Sequence, residues 1–96
     1  MKLLVSPLAK RDLRLIYLTI ARDRPAAAHD QVAAIRKRFK LLLKHPQVGE
    51  LLNDLHANLR RFSVGVYVIY FRTQADIVEI VRVLHGAQDA DAELSD

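Results

Sequence analysis

The residues best suited to chemistry lie on the last three β-prone runs of the chain. Arg82 sits inside Ile77-Val78-Glu79-Ile80-Val81-Arg82-Val83-Leu84, with His85 at its mouth and Gly86 where the chain turns. The two preceding runs carry Arg60-Arg61-Phe62 and Tyr67-Val68-Ile69-Tyr70-Phe71-Arg72. Guanidinium groups beside an imidazole fit a phosphodiester. Cleaving RNA by internal attack of a 2′-hydroxyl needs a base, an acid and cations around the phosphate. Arg82 is the candidate cation, with one of Arg60 or Arg61 beside it, and His85 is one of the proton carriers. Gly86, Ala87 and Gln88 follow His85, so no Tyr, Lys or Glu stands where the strand ends to supply the other carrier. That gap counts against an endonuclease and leaves binding as the stronger reading.

Other chemistries find less support. The four histidines are scattered, none at zinc-motif spacing, and cysteine is absent, so neither a metal site nor a disulfide framework is expected. Three distant glycines make no phosphate-cradling loop, and neither serine before the tail sits in a nucleophile elbow. No cofactor is expected.

Alternation along a strand decides which of these side chains can meet. It groups Arg82 with Val78, Ile80 and Leu84 and sends Glu79 to the opposite face, so Glu79 is not its partner. It also groups Arg60 with Phe62 and Val64, groups Arg61 with Leu59 and Ser63, and separates Tyr67 from Tyr70. An arginine among apolar neighbours is costly to bury unpaired. Arg82 therefore needs an anion, either internal, such as Asp89 folding back, or from another molecule. The functional reading gathers Arg82, His85 and one of Arg60 or Arg61 around the open face of a sheet.

The elements that must position them follow from periodicity. Lys2 to Val5 reads as a strand stopped by Ser6-Pro7, with Ser6 as helix N-cap and Pro7 at the first helical position. Ala9, Leu13, Ile16 and Ile20 make one helical face, and Asp12 is placed to suit the helix dipole. Pro25 opens a second helix with a buried stripe of Ala28, Val32, Ile35, Phe39 and Leu42, stopped by His45-Pro46. A short link makes the pair an antiparallel hairpin. A leucine-bearing loop from Gln47 to Ala57 precedes strands predicted from Asn58 to Ser63, Val66 to Thr73 and Ile77 to Leu84, with turns at Gly65 and at Thr73-Gln74-Ala75-Asp76. The expected fold is α+β, a two-layer domain of order β-α-α-β-β-β. Its helix hairpin lies on a three-stranded antiparallel meander, with the first strand beside the last.

Ninety-six residues make one domain, 1–96, able to bury roughly 65% of its unfolded surface. No run is long enough for a signal peptide or a membrane span, so a cytoplasmic protein is expected. Charge is split along the chain. All fifteen Lys and Arg residues precede His85 against seven acids, whereas the segment after it holds four acids and no base. A basic body implies an anionic partner, nucleic acid or acidic polypeptide, or else a solubilising surface. The acidic tail, residues 88–96, is expected to lie over the basic sheet face. The helices also carry surplus leucines, with Leu15 and Leu18 off the first stripe and Leu41 and Leu43 flanking the second. Those not covered by the leucine-bearing loop would make a groove for an amphipathic helix.

In order and spacing these pieces resemble the ParE branch of the RelE/ParE toxins of type II toxin–antitoxin systems. The resemblance runs through Ser6-Pro7-Leu8-Ala9, Asp12-Leu13, Ile16, Ile20-Ala21-Arg22-Asp23-Arg24-Pro25 with Ala27-Ala28, then His45-Pro46 and Gly49. It continues through Leu59-Arg60-Arg61-Phe62-Ser63-Val64-Gly65, Tyr67 to Arg72 and Ile80-Val81-Arg82-Val83-Leu84-His85-Gly86. It implies the same fold, no cofactor, a ParD-like antitoxin that also carries the operator-DNA contact, and DNA gyrase as target. The alternative it leaves is a RelE-like ribosome-dependent mRNA interferase using Arg82, His85 and Arg61. On the ParE reading, Leu15, Leu18, Leu41, Arg60, Arg61 and Tyr70 are expected to meet the antitoxin, and Arg72, Arg82 and His85 the target. Three positions depart from the pattern. Thr19 stands where many relatives carry Tyr, Gln88 where Arg often precedes Asp89, and Glu50 where a base often follows the Gly.

Overall fold

The computed structural model describes residues 1–94. Strand β1 (Lys2–Val5) leads into helix α1 (Pro7–Ala21), a three-residue link and helix α2 (Pro25–Lys44). Ser6 closes the turn between β1 and α1 as expected: its Oγ accepts the Ala9 N–H at 3.0 Å and donates to the Val81 carbonyl at 2.7 Å. A two-residue strand β2 (Glu50–Leu51) follows, then β3 (Leu59–Val64), β4 (Tyr67–Gln74), β5 (Ile77–His85) and a short helix α3 (Ala90–Leu94). The strands form one sheet in the order β1-β5-β4-β3-β2, with β1 parallel to β5 and the rest antiparallel. The predicted architecture stands, with β2 and α3 as additions in segments read as loop and tail.

The apolar stripes of the helices bury where periodicity placed them. Ala9 and Leu13 of α1 and Ile35, Phe39 and Leu42 of α2 pack on Ile69, Phe71, Val78, Ile80 and Val83 of the sheet. The opposite sheet face is not open, contrary to the two-layer expectation. Leu59, Tyr70 and Leu84 there are covered by Leu52 and Leu55 of the β2–β3 loop and by Leu94 of α3. The loop leucines thus cover the far side of the sheet and leave the helix leucines alone.

A bulge corrects the alternation along β5. Phe71 pairs with Ile80 but Tyr70 pairs with Arg82, so Val81 is an extra residue with no opposite number. Val78, Ile80 and Val83 therefore share the helix-side core, while Val81 and Leu84 join the far-side cluster. Arg82 does not share a face with Val78 and Ile80, because the bulge changes phase between them. Tyr67 and Tyr70 do fall on opposite faces.

Gly49 sets the entry to β2. Its φ of +85° is left-handed, and a Cβ built there would overlap the Arg61 carbonyl oxygen. Backbone on both sides blocks relaxation. Gly49→Ala should cost roughly 2 kcal/mol or more, seen as a lower urea midpoint with an unchanged slope.

Candidate functional site

Strand β1 stops at Val5, opposite Ile80, so the outer edge of β5 has no strand beside it from Val81 onward. Side chains take over the pairing. Ser6 serves the Val81 carbonyl, and Asp12 Oδ2 accepts the Val83 N–H at 3.0 Å. The same carboxylate holds Arg82 as a fork, accepting Nε at 2.8 Å on Oδ2 and Nη2 at 2.9 Å on Oδ1. Arg82 Nη1 donates to the Glu93 carbonyl at 3.1 Å, which ties α3 to the same point. Side-chain exposure is 13% for Arg82 and 8% for Asp12, so the pair is largely out of water. The bond to Asp12 raises the Arg82 pKa above its usual value and outweighs burial, which acts the other way.

The anion that Arg82 requires is therefore Asp12 and not Asp89. Sequence reading assigned Asp12 to the helix dipole, but it lies in the second turn of α1, and no acid occupies the first. A contact spanning seventy residues leaves no spacing signature. The available signal was an acid adjacent to Leu13 on the buried stripe, where a charge needs a partner.

The remaining strand arginines are engaged as well. Arg61 Nε donates to Glu50 Oε1 at 2.6 Å, and this bond raises the Arg61 pKa. Arg72 Nε donates to Glu79 Oε1 at 2.7 Å across the β4–β5 pair. Arg60 Nη1 donates to the Gln47 carbonyl at 3.0 Å and the Gly49 carbonyl at 3.4 Å. Glu50, one of the departures from the ParE pattern, is thus the carboxylate that holds Arg61. The Arg61 and Arg72 pairs are far more exposed than the Asp12–Arg82 pair.

His85 stands at the end of β5 with its ring edge-on to Tyr67, centroids 5.5 Å apart and planes at 83°. Its Nδ1 accepts the Ala87 N–H at 3.0 Å, which leaves Nε2 to carry the proton of the neutral ring. Its backbone N–H donates to Gln88 Oε1, and Gln88 Nε2 donates to Glu93 Oε1. Beside it a shallow cavity of about 250 Å³ opens between α1 and the strand ends. Leu15 and Thr19 line one wall, and Tyr67, His85 and Gln88 line the other. Two of the three departures, Thr19 and Gln88, therefore face one cavity, an adjacency that 68 intervening residues concealed.

The structure brings together some sequence-predicted residues and separates others. Leu15 and Leu18 are exposed on α1 and, with Leu8, form an apolar ridge next to the cavity. Leu41 lies half-buried on α2 and does not line that cavity. Tyr70 is buried in the far-side cluster, with its hydroxyl beside the Arg61 guanidinium. The acidic tail does lie on the sheet through its described part. Leu94 packs on Leu59, Tyr70 and Leu84, and the Leu94 carbonyl accepts His56 Nε2–H at 2.7 Å. Ser95 and Asp96 lie outside the described residues. Among the described residues no group of three or more His, Cys, Asp or Glu is placed to hold a metal, and no helix is long and apolar enough to cross a membrane.

The site thus sits on a small α+β domain, a helix hairpin on a five-stranded sheet with a buried aspartate–arginine fork at the sheet edge. The family model described as ParE toxin of type II toxin–antitoxin system, parDE, matches residues 3–90, and the chain belongs to that family. It is 33% identical to Toxin ParE1 of Caulobacter vibrioides over 67 residues, 70% of this chain and 69% of that protein. It is 25% identical to Toxin ParE1 of Mycobacterium tuberculosis over 93 residues, 95% of each chain. A solved structure described as the chromosomal ParDE TA system from P. aeruginosa shares the fold, with a TM-score of 0.78 at 22% identity, covering 88% of this chain and 95% of that one.

Removing one partner of the buried fork strands the other. Asp12→Ala takes the partner from Arg82 Nε and Nη2 and from the Val83 N–H, leaving Arg82 only its Glu93 contacts, and should cost about 3–5 kcal/mol. Glu50→Ala, at an exposed pair, should cost under about 1 kcal/mol. Urea unfolding of the two variants side by side checks the ranking.

Proposed function

We propose that this ParE-family toxin inhibits DNA gyrase, thereby blocking replication, and is held inactive by a ParD-like antitoxin. The observation that carries the reading is the employment of Arg82. Its guanidinium is spent on Asp12 and the Glu93 carbonyl, so it braces the fold and is not aimed at a substrate phosphate. His85 has one ring nitrogen committed to Ala87, and the other titratable groups lining the adjacent cavity are Asp12, bonded to Arg82, and Tyr67, whose ring packs edge-on against His85. No free guanidinium or ammonium lines that cavity among the described residues to meet the phosphate that mRNA cleavage requires.

The accessible features suit protein recognition instead. Leu15 and Leu18, at 47% and 53% exposure, stand on a rigid helix beside a cavity able to take a side chain. An amphipathic antitoxin helix with acidic flanks fits the ridge and its basic neighbour Arg11. In this reading Arg60 and Arg61 contribute at the far sheet edge, and Tyr70 supports Arg61 from within. His85 and Arg72 remain the target-facing candidates, with Arg82 positioning the strand that carries His85. The family, the matched relatives and the engaged state of Arg82 support the assignment.

Gyrase supercoiling and cleavage assays should show inhibition by the purified chain, while mRNA on stalled ribosomes stays intact. Ribosome-dependent cleavage that disappears in His85→Ala would overturn the assignment. Expression without the neighbouring reading frame should arrest growth, and co-expression should relieve it. Leu15→Ala/Leu18→Ala should weaken antitoxin binding roughly tenfold or more, read by titration calorimetry and by failure of that relief.

A further inference from the structure

The distribution of unpaired charge is the reverse of what the strand arginines implied. All four of them are engaged within the chain, three by carboxylates and Arg60 by carbonyls. Ten of the fifteen Lys and Arg residues stand instead on α1, α2 and their link, and all ten are exposed. None of the ten forms an ion pair among the described residues. Of the three acids on the hairpin, Asp12 is turned inward to Arg82, and Asp30 lies beside His29. The helix layer thus carries a large uncompensated positive charge on one side of the molecule.

Within that layer the cations are ordered. Arg36, Lys37, Lys40 and Lys44 fall at spacings that place them on one side of α2, opposite the buried stripe of Ile35, Phe39 and Leu42. Arg36, Lys40 and Lys44 follow one another at about 6 Å along the axis. Across the interhelical groove, Lys10 and Arg14 of α1 line the same depression as Arg36, which Tyr17 also lines. Gathering like charges without counter-charges opposes folding, so the array is a cost that internal packing does not explain.

We propose that this helix face binds the phosphate backbone of duplex nucleic acid, without reading sequence. The choice over an acidic protein rests on what the face lacks. Protein interfaces are organised around apolar or aromatic anchors and are depleted of charge at their centre. No large hydrophobic residue is exposed on α2, and those of α1 other than Tyr17 belong to the separate Leu8–Leu15–Leu18 ridge. Phosphates ask only for cations in a row and reward them through counterion release. The toxin would then hold DNA directly, with the leucine ridge and the His85 cavity left free for protein. The proposal needs neither gyrase nor antitoxin, so its outcome is independent of the function assigned above.

The test is binding of the purified chain to a fluorescent mixed-sequence DNA duplex, followed by anisotropy between about 50 and 200 mM salt, over which the screening length falls from about 14 to about 7 Å. Affinity should be insensitive to sequence and fall steeply with salt. The variant Arg36→Gln/Lys37→Gln/Lys40→Gln/Lys44→Gln keeps good helix formers at exposed positions. It should retain its circular dichroism and lose roughly four units of the log–log salt slope, and Lys10→Gln/Arg14→Gln roughly two. Absence of binding at 50 mM salt, or a wild-type slope in the folded quadruple variant, would overturn the proposal. So would polyglutamate of equal charge binding as tightly as the duplex, which would give the face to an acidic polypeptide.

Discussion

The sheet has to end somewhere on the α1 side, and the way it ends governs the rest of the molecule. β1 is four residues long while β5 is nine, so more than half of the β5 edge has no strand to pair with. Asp12 fills that position with a carboxylate, taking the Val83 N–H and the Arg82 fork together. A single buried acid therefore joins α1 to β5 and, through Arg82 and the Glu93 carbonyl, to α3. Such a pair adds little net stability over an apolar substitute because both ions are desolvated. What it supplies is placement. It fixes the strand end that presents His85 and the helix that presents Leu15 and Leu18, so the two walls of the cavity keep a constant separation.

Engagement of the strand arginines redistributes function across the surface. A guanidinium held by two carboxylate oxygens and a carbonyl has little capacity left for a phosphate, and Arg82 works as a brace for that reason. The sheet's far face is likewise occupied, by Leu52, Leu55 and Leu94. Recognition is left to the helix layer and the strand ends. There the apolar ridge of α1 and the cation array of α2 lie on different sectors of one hairpin, so the two proposed partners do not compete for one surface.

Much of this was legible from residue order. The helix stripes, the Ser6 cap, the hairpin turns and the β1–β5 neighbourhood all follow from period, capping and turn chemistry, which are local. Leu15 and Leu18 were identified as surplus by the same counting. What escaped was non-local. Nothing in the spacing of Asp12 and Arg82 announces a bond over seventy residues. Where Leu52 and Leu55 pack was left open because a loop has no period. Periodicity also failed inside β5, where alternation presumes an unbroken ladder and Val81 interrupts it.

That interruption sets a limit on how the strand can vary. Upstream of Val81 the even-numbered side chains Val78 and Ile80 look toward the helices, and downstream Val83 does, so β5 carries a change of parity midway. Drawing Val81 into the ladder at unchanged length would restore regular pleating but rotate the terminal segment half a turn. Leu84 would then exchange places with Val83, and His85 would swing away from Tyr67. The strand's register is therefore as much a specification as its composition, and the hinge point of that specification is a valine with nothing across from it.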